Sequence, residues 1–173
     1  MRIKVYSILI ALFLGIEVCS ITLAGSSVKL SGVQFSLGSF IGEGTVSGLG
    51  NTDVIVRMEA SGIPRVTCTN QGGGLVPGQN PTQVSATSQA FLPADDQVVK
   101  NGKSAFRVVI SPPPTMDPIE AGCPNATWTA HIDFVFWNRA TITVSTPSQA
   151  VLLSQDYSCV TTADPASVVC GRN

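Results

Sequence analysis

The chain has 173 residues, of which 44% are hydrophobic and 12% charged, with 10 Lys and Arg set against 11 Asp and Glu. That composition excludes a disordered polar chain, a coiled coil and a collagen-like repeat, and the near balance of charge leaves no basic footprint for a nucleic acid. A single apolar stretch is long enough to concern a membrane, and it stands at the start.

Arg2 and Lys4 precede a nearly unbroken apolar run from Val5 to Ile16, and Thr22-Leu23-Ala24 offers a small-x-small step for a peptidase. The pattern predicts a secretory signal peptide over 1–24. Glu17 ends the run at about a dozen residues, short of the roughly 20 that a membrane-spanning helix needs. Cys19 follows Ile16-Glu17-Val18, which is not the setting of a lipidated cysteine. The remainder carries 8 basic and 10 acidic side chains and has the length of one domain, expected over 25–173.

Beyond the leader, apolar residues recur with period two rather than the helical period of about 3.6 residues. Val33, Phe35 and Leu37 alternate with Gly32, Gln34, Ser36 and Gly38. Val54, Val56, Met58 and Ala60 alternate with Asp53, Ile55, Arg57, Glu59 and Ser61. Further strands are predicted over 65–69, 83–88, 104–111, 127–137, 140–145, 151–159 and 167–170. Gly42-Glu43-Gly44-Thr45-Val46-Ser47-Gly48 reads as a kinked or bulged strand, because its glycines are misplaced for a dinucleotide fingerprint and no helix follows. Gly/Pro-rich turns and loops separate these runs at 48–51, 71–81, 93–102, 112–118 and 146–148. Gly72-Gly73-Gly74 lacks the Gly-Lys-Ser/Thr of a phosphate loop, and Ser111-Pro112-Pro113-Pro114 suits a polyproline spacer between strands. The fold expected is all-β, an antiparallel β-sandwich with long Gly/Pro loops and two disulfides.

In the section from Trp128, the side chains of Trp128, Ala130, Ile132, Phe134 and Phe136 share one parity and are expected to face the core. Thr129, His131, Asp133, Val135 and Trp137 then face out or into a groove. Asn138-Arg139 is expected to turn the chain into a further strand, giving a C-terminal meander of four.

Four cysteines follow the leader: Cys68, Cys123, Cys159 and Cys170. An even count with no C-x-x-C pair and one histidine favours disulfides over a metal cluster, and three pairings are possible. A hairpin turning at Asp164-Pro165 would join Cys159 to Cys170, leaving Cys68 for Cys123.

Chemistry-bearing groups are sparse. His131 and Asp133 lie two apart on one strand face, a pair that a hydrolase could use, but no G-x-S-x-G elbow supplies a nucleophile. Asp95-Asp96 lacks the alternating acidic positions of a calcium loop and reads as a charged turn. Asn125-Ala126-Thr127 matches a glycosylation sequon. Trp137 beside His131 and Asp133 is the expected ligand surface, an exposed aromatic next to polar groups.

The Trp with two disulfide cysteines resembles the immunoglobulin domain in layered architecture only, since Trp128 follows both Cys68 and Cys123 instead of lying between them. Gly48-Leu49-Gly50-Asn51-Thr52-Asp53, Val66-Thr67-Cys68-Thr69-Asn70-Gln71-Gly72-Gly73, Pro77-Gly78-Gln79-Asn80-Pro81 and Gly122-Cys123-Pro124-Asn125 resemble stretches of uncharacterised secreted bacterial proteins. That resemblance implies export and a bacterial source, with no activity attached. The leading functional expectation is an exported, secreted or cell-envelope, non-catalytic module that binds a protein or glycan or builds a surface structure. It is expected to use no cofactor or metal, to bind no nucleic acid and to insert no mature segment into a membrane. The alternatives are a small hydrolase using His131 and a carrier holding an apolar ligand between the sheets.

Overall fold

The computed structural model describes residues 28–95, 102–163 and 166–173. The expected leader with Cys19, Asp96 of the Asp95-Asp96 pair and the Asp164-Pro165 turn lie outside the described residues. Every regular element within them is a strand: β1 (Lys29–Ser36), β2 (Phe40–Ser47), β3 (Val54–Thr69), β4 (Leu75–Pro77), β5 (Val84–Leu92), β6 (Lys103–Ile110), β7 (Thr115–Met116), β8 (Thr129–Ser145), β9 (Val151–Ala163) and β10 (Ala166–Arg172).

All pairings are antiparallel, and they form two layers. The smaller sheet has the order β1-β2-β6. The larger runs β10-β9-β8-β3, with β5 and β4 sharing the far edge of β3 and β7 lying on β8. Strand β6 lies beside β5, and β1 beside β10, so the long edges of the two sheets meet along two seams. Facing edges in this way shields the unpaired N–H and C=O rows that would otherwise recruit another strand.

The alternation visible in the sequence decides which face of each strand is buried. Phe40 and Val46 of β2 and Phe106, Val108 and Ile110 of β6 meet Val54, Val56 and Met58 of β3 and Ala140, Ile142 and Val144 of β8. Each large side chain so buried stabilises the fold by roughly 1.5–3 kcal/mol. Gly42 lets the layers approach, because a Cβ there would sit 2.5 Å from the Met58 sulfur. Strand β2, expected to be kinked, pairs with β6 without a break. The irregularity lies instead in β1, where Gly32 (φ +60°) and Val33 stand opposite Gly44.

The largest departure from expectation is in β3 and β8. Segments 53–61 and 65–69 are one 16-residue strand through Gly62-Ile63-Pro64. Pro64 is tolerated because it stands past the last β5 pair, Gly62 with Val84. Segments 127–137 and 140–145 also fuse, so the C-terminal meander has three strands and Asn138-Arg139 makes no turn. Strand β8 carries two more residues than the stretch of β3 it pairs with, and the register shifts place the extra ones at Asp133 and Asn138. Each bulge reverses the parity of the residues beyond it. Ala130 and Ile132 point inward, then Val135 and Trp137, then Ala140, Ile142 and Val144; Phe134 and Phe136 are turned to the outside.

Both disulfides have the expected partners. Cys68–Cys123 ties β3 to the loop before β8 around a second cluster of Val66, Ala121 and Ala130. Cys159 and Cys170 are direct cross-strand partners in the β9–β10 hairpin. The loops expected over 71–81 and 112–118 each contain one very short strand, β4 and β7.

Candidate functional site

Strand β3 keeps strict parity along its whole length: residues at even positions from Val54 to Cys68 are buried, and those at odd positions look away from the smaller sheet. Its register with β8 therefore builds the outer face row by row: Thr67 beside His131, Arg65 beside Phe134, Ile63 beside Phe136, Ser61 beside Arg139, Glu59 beside Thr141, and Arg57 beside Thr143. Sixteen residues of strand span roughly 50 Å, so this face is an elongated strip and not a pocket.

The strip is aromatic just past its middle, before the polar Thr67 and His131 row. Phe134 and Phe136 meet edge to face with centroids 5.1 Å apart, and the Arg65 guanidinium lies 5.9 Å from the Phe134 centroid. Ile63, 42% exposed, completes the apolar patch beside Phe136. The half running from Ser61 toward Ile55 is polar and indented. Hollows of about 350 and 420 Å³ lie along Glu59, Ser85 and Thr141 and along Arg57, Gln89 and Thr143. Phe91, 56% exposed, stands beside Ile55 at the far end. Between them runs a hydrogen-bonded row: Thr141 donates to Asp156 at 2.6 Å, Arg139 pairs with the same carboxylate at 3.4 Å, and the Thr143 and Ser154 hydroxyls are 3.3 Å apart. The Thr141 hydroxyl, and secondarily the Arg139 charge, hold the Asp156 carboxyl below its ordinary value against the opposing effect of desolvation.

Of the three residues expected to form a ligand surface, His131 and Asp133 are on this face and Trp137 is not. Trp137 is 3% exposed and stacks on Phe40 of the other sheet, with centroids 5.1 Å apart. The physical reason is the bulge at Asp133, which exchanges Trp137 and Val135 for Phe134 and Phe136. His131 and Asp133 share no hydrogen bond; the Asp133 carboxylate instead accepts one from the Thr67 hydroxyl at 2.7 Å. The arrangement offers stacking and hydrogen bonding. Residues 134–137 are apolar at both parities, so only the polar interruptions at Asp133 and Asn138 could have marked the reversal in advance.

Two other hollows are less suited to a ligand. One of about 510 Å³ on the outside of the smaller sheet is walled by Glu43 and Arg107, which satisfy each other at 3.1 Å. One of about 560 Å³ beside Cys123 is lined by Val76, Pro77, Gln79, Gly122 and Pro124, with no charged group. The Asn125 sequon is exposed, with its carboxamide oxygen accepting hydrogen bonds from the Thr127 amide at 3.0 Å and hydroxyl at 2.6 Å. The space between the sheets is occupied by side chains including Phe40, Met58, Ile110 and Ile142. No described group of three or more His, Cys, Asp or Glu residues could hold a metal ion, and no described helix is long and apolar enough to cross a membrane. Comparison of the chain with family models, curated proteins and solved structures returned no match.

Proposed function

We propose that this is an exported, non-catalytic β-sandwich module that binds a glycan chain along the outer face of its larger sheet. One observation carries the reading: aromatic side chains at two places along the strip, Phe136 near its middle and Phe91 at one end, with hydroxyl, amide and charged groups in line between them. Sugar rings present C–H faces that pack on aromatic rings and hydroxyls that need hydrogen-bond partners, and such a face offers both. A protein partner would ask for an apolar, charge-depleted centre, whereas here the centre holds Arg57, Glu59 and Arg139. The two disulfides support export, since such bonds persist in oxidising compartments.

Glycan and peptide arrays probed with the wild type and with Phe136→Ala and Phe91→Ala test the reading. The expected result is retention on a glycan, weakened in both variants while their circular dichroism spectra and unfolding midpoints match the wild type. Retention on peptides alone, or glycan retention indifferent to both rings, rejects it.

A further inference from the structure

Three guanidinium groups project from the outer face, and two are engaged: Arg139 pairs with Asp156 at 3.4 Å, and Arg65 lies over the Phe134 ring. Arg57 makes neither an ion pair nor a side-chain hydrogen bond among the described residues. It stands in the hollow of about 420 Å³, beside the Gln89 amide, the hydroxyls of Thr143 and Ser145, and an apolar side at Ile55 and Val151. Among the described residues no carboxylate lines that hollow. Glu59, two positions along β3, lines the neighbouring ones, sharing one of about 220 Å³ with Arg57.

A guanidinium unpaired among the described residues, set among neutral hydrogen-bonding groups beside an apolar wall, matches a planar anion carried on a ring with one apolar face. Its forked donors meet both oxygens of a carboxylate, and the nearest described carboxylate, Glu59, lines the neighbouring hollows and not this one. We infer that the Arg57 hollow takes the carboxylate of a uronic-acid unit in the glycan laid along the strip. This rests on the glycan-binding reading and adds the class of sugar. Arg57 and Ile63 are six positions apart on β3, roughly 20 Å, so a chain touching both the hollow and the Phe136 ring is an oligomer and not a single sugar.

The experiment titrates the purified protein by calorimetry with oligomers of polygalacturonate, alginate and glucuronan, each beside its carboxyl-reduced counterpart. The expected result is that one uronate oligomer binds at least about tenfold tighter than its reduced form, as suits a bidentate charged contact, and that added salt narrows the gap. Arg57→Gln removes the difference, and Arg57→Lys restores only part of it, because an ammonium keeps the charge without the fork. Arg57 is exposed, and an unchanged unfolding midpoint verifies that both variants are folded. Equal affinity for acidic and reduced oligomers, or full acidic-oligomer affinity in Arg57→Gln, overturns the inference while glycan binding stands. Retention of neutral glycans alone on the array also overturns it, and absence of all glycan binding removes both readings.

Discussion

The Trp137 indole stacks on the Phe40 ring across the two layers, with centroids 5.1 Å apart and planes 27° from parallel. The Phe35 ring extends this cluster, lying 5.5 Å from Phe40 and 5.0 Å from Tyr157, so aromatic side chains from β1, β2, β8 and β9 converge on one point of the interior. Trp137→Ala would leave a large cavity there and should cost about 3–5 kcal/mol, read as a fall in the urea midpoint with little change in slope.

Phe134 lies three positions before Trp137 on the same strand but looks outward, only partly buried. Phe134→Asp should therefore leave the protein folded, whereas Val135→Asp, which puts a charge into a position 3% exposed, should unfold it. Far-ultraviolet circular dichroism and gel filtration of the two variants decide the matter. Unfolding by Phe134→Asp and tolerance of Val135→Asp would mean that the Asp133 bulge is misplaced.

Gly62 is the close-approach point beside the second bulge. A Cβ there would stand 2.5 Å from the Phe136 carbonyl oxygen and 2.8 Å from the Trp137 Cα, and backbone cannot swing aside as a side chain does. Gly62→Ala should cost about 1–3 kcal/mol by overpacking, while Gly171→Ala, with nothing within 4 Å of its added Cβ, should change stability little. Chemical denaturation of both variants against the wild type gives the comparison.

The fold was legible in the sequence wherever a strand keeps one parity. Val54 to Cys68 buries its even positions without a slip, and the pairing of Cys159 with Cys170 comes from two strands folding back on each other. In β8, parity counted forward from Trp128 is correct as far as Ile132 and fails at Asp133, because a bulge is decided by the partner strand and leaves no period of its own. With Phe134, Val135, Phe136 and Trp137 all apolar, burial on either face was energetically reasonable until the opposing Phe40 singled out the indole. Arg57 was legible as an outward residue, but its hollow depends on Gln89 and Ser145 from distant strands, and long-range register is not written locally.

The two disulfides close loops of different length, with sequence separations of 55 for Cys68–Cys123 and 11 for Cys159–Cys170. On the chain-entropy account their removal should cost about 4 and 3 kcal/mol respectively, the longer loop mattering more. Cys68→Ser/Cys123→Ser and Cys159→Ser/Cys170→Ser, compared by urea unfolding under non-reducing conditions, test that order. Peptide mapping without reductant should recover both cross-links in the wild type and one in each double variant.

The Asp156 carboxylate supplies a pH dependence whose sign is set by its depressed ionisation. The Thr141 hydroxyl and then the Arg139 charge favour its anion in the folded protein, so near and below the ordinary value of 3.8 the unfolded chain binds more protons at this residue than the folded one does. The resulting stability is present above 3.8 and drains away as pH falls through the lower folded value. Wild-type urea midpoints should accordingly fall more steeply over that acid interval than those of Asp156→Asn, with the two curves running parallel at neutral pH. Thr141→Val should move the Asp156 titration, followed by carboxyl NMR, up toward 3.8, and an unmoved titration would mean that the hydroxyl contact does not govern this carboxylate.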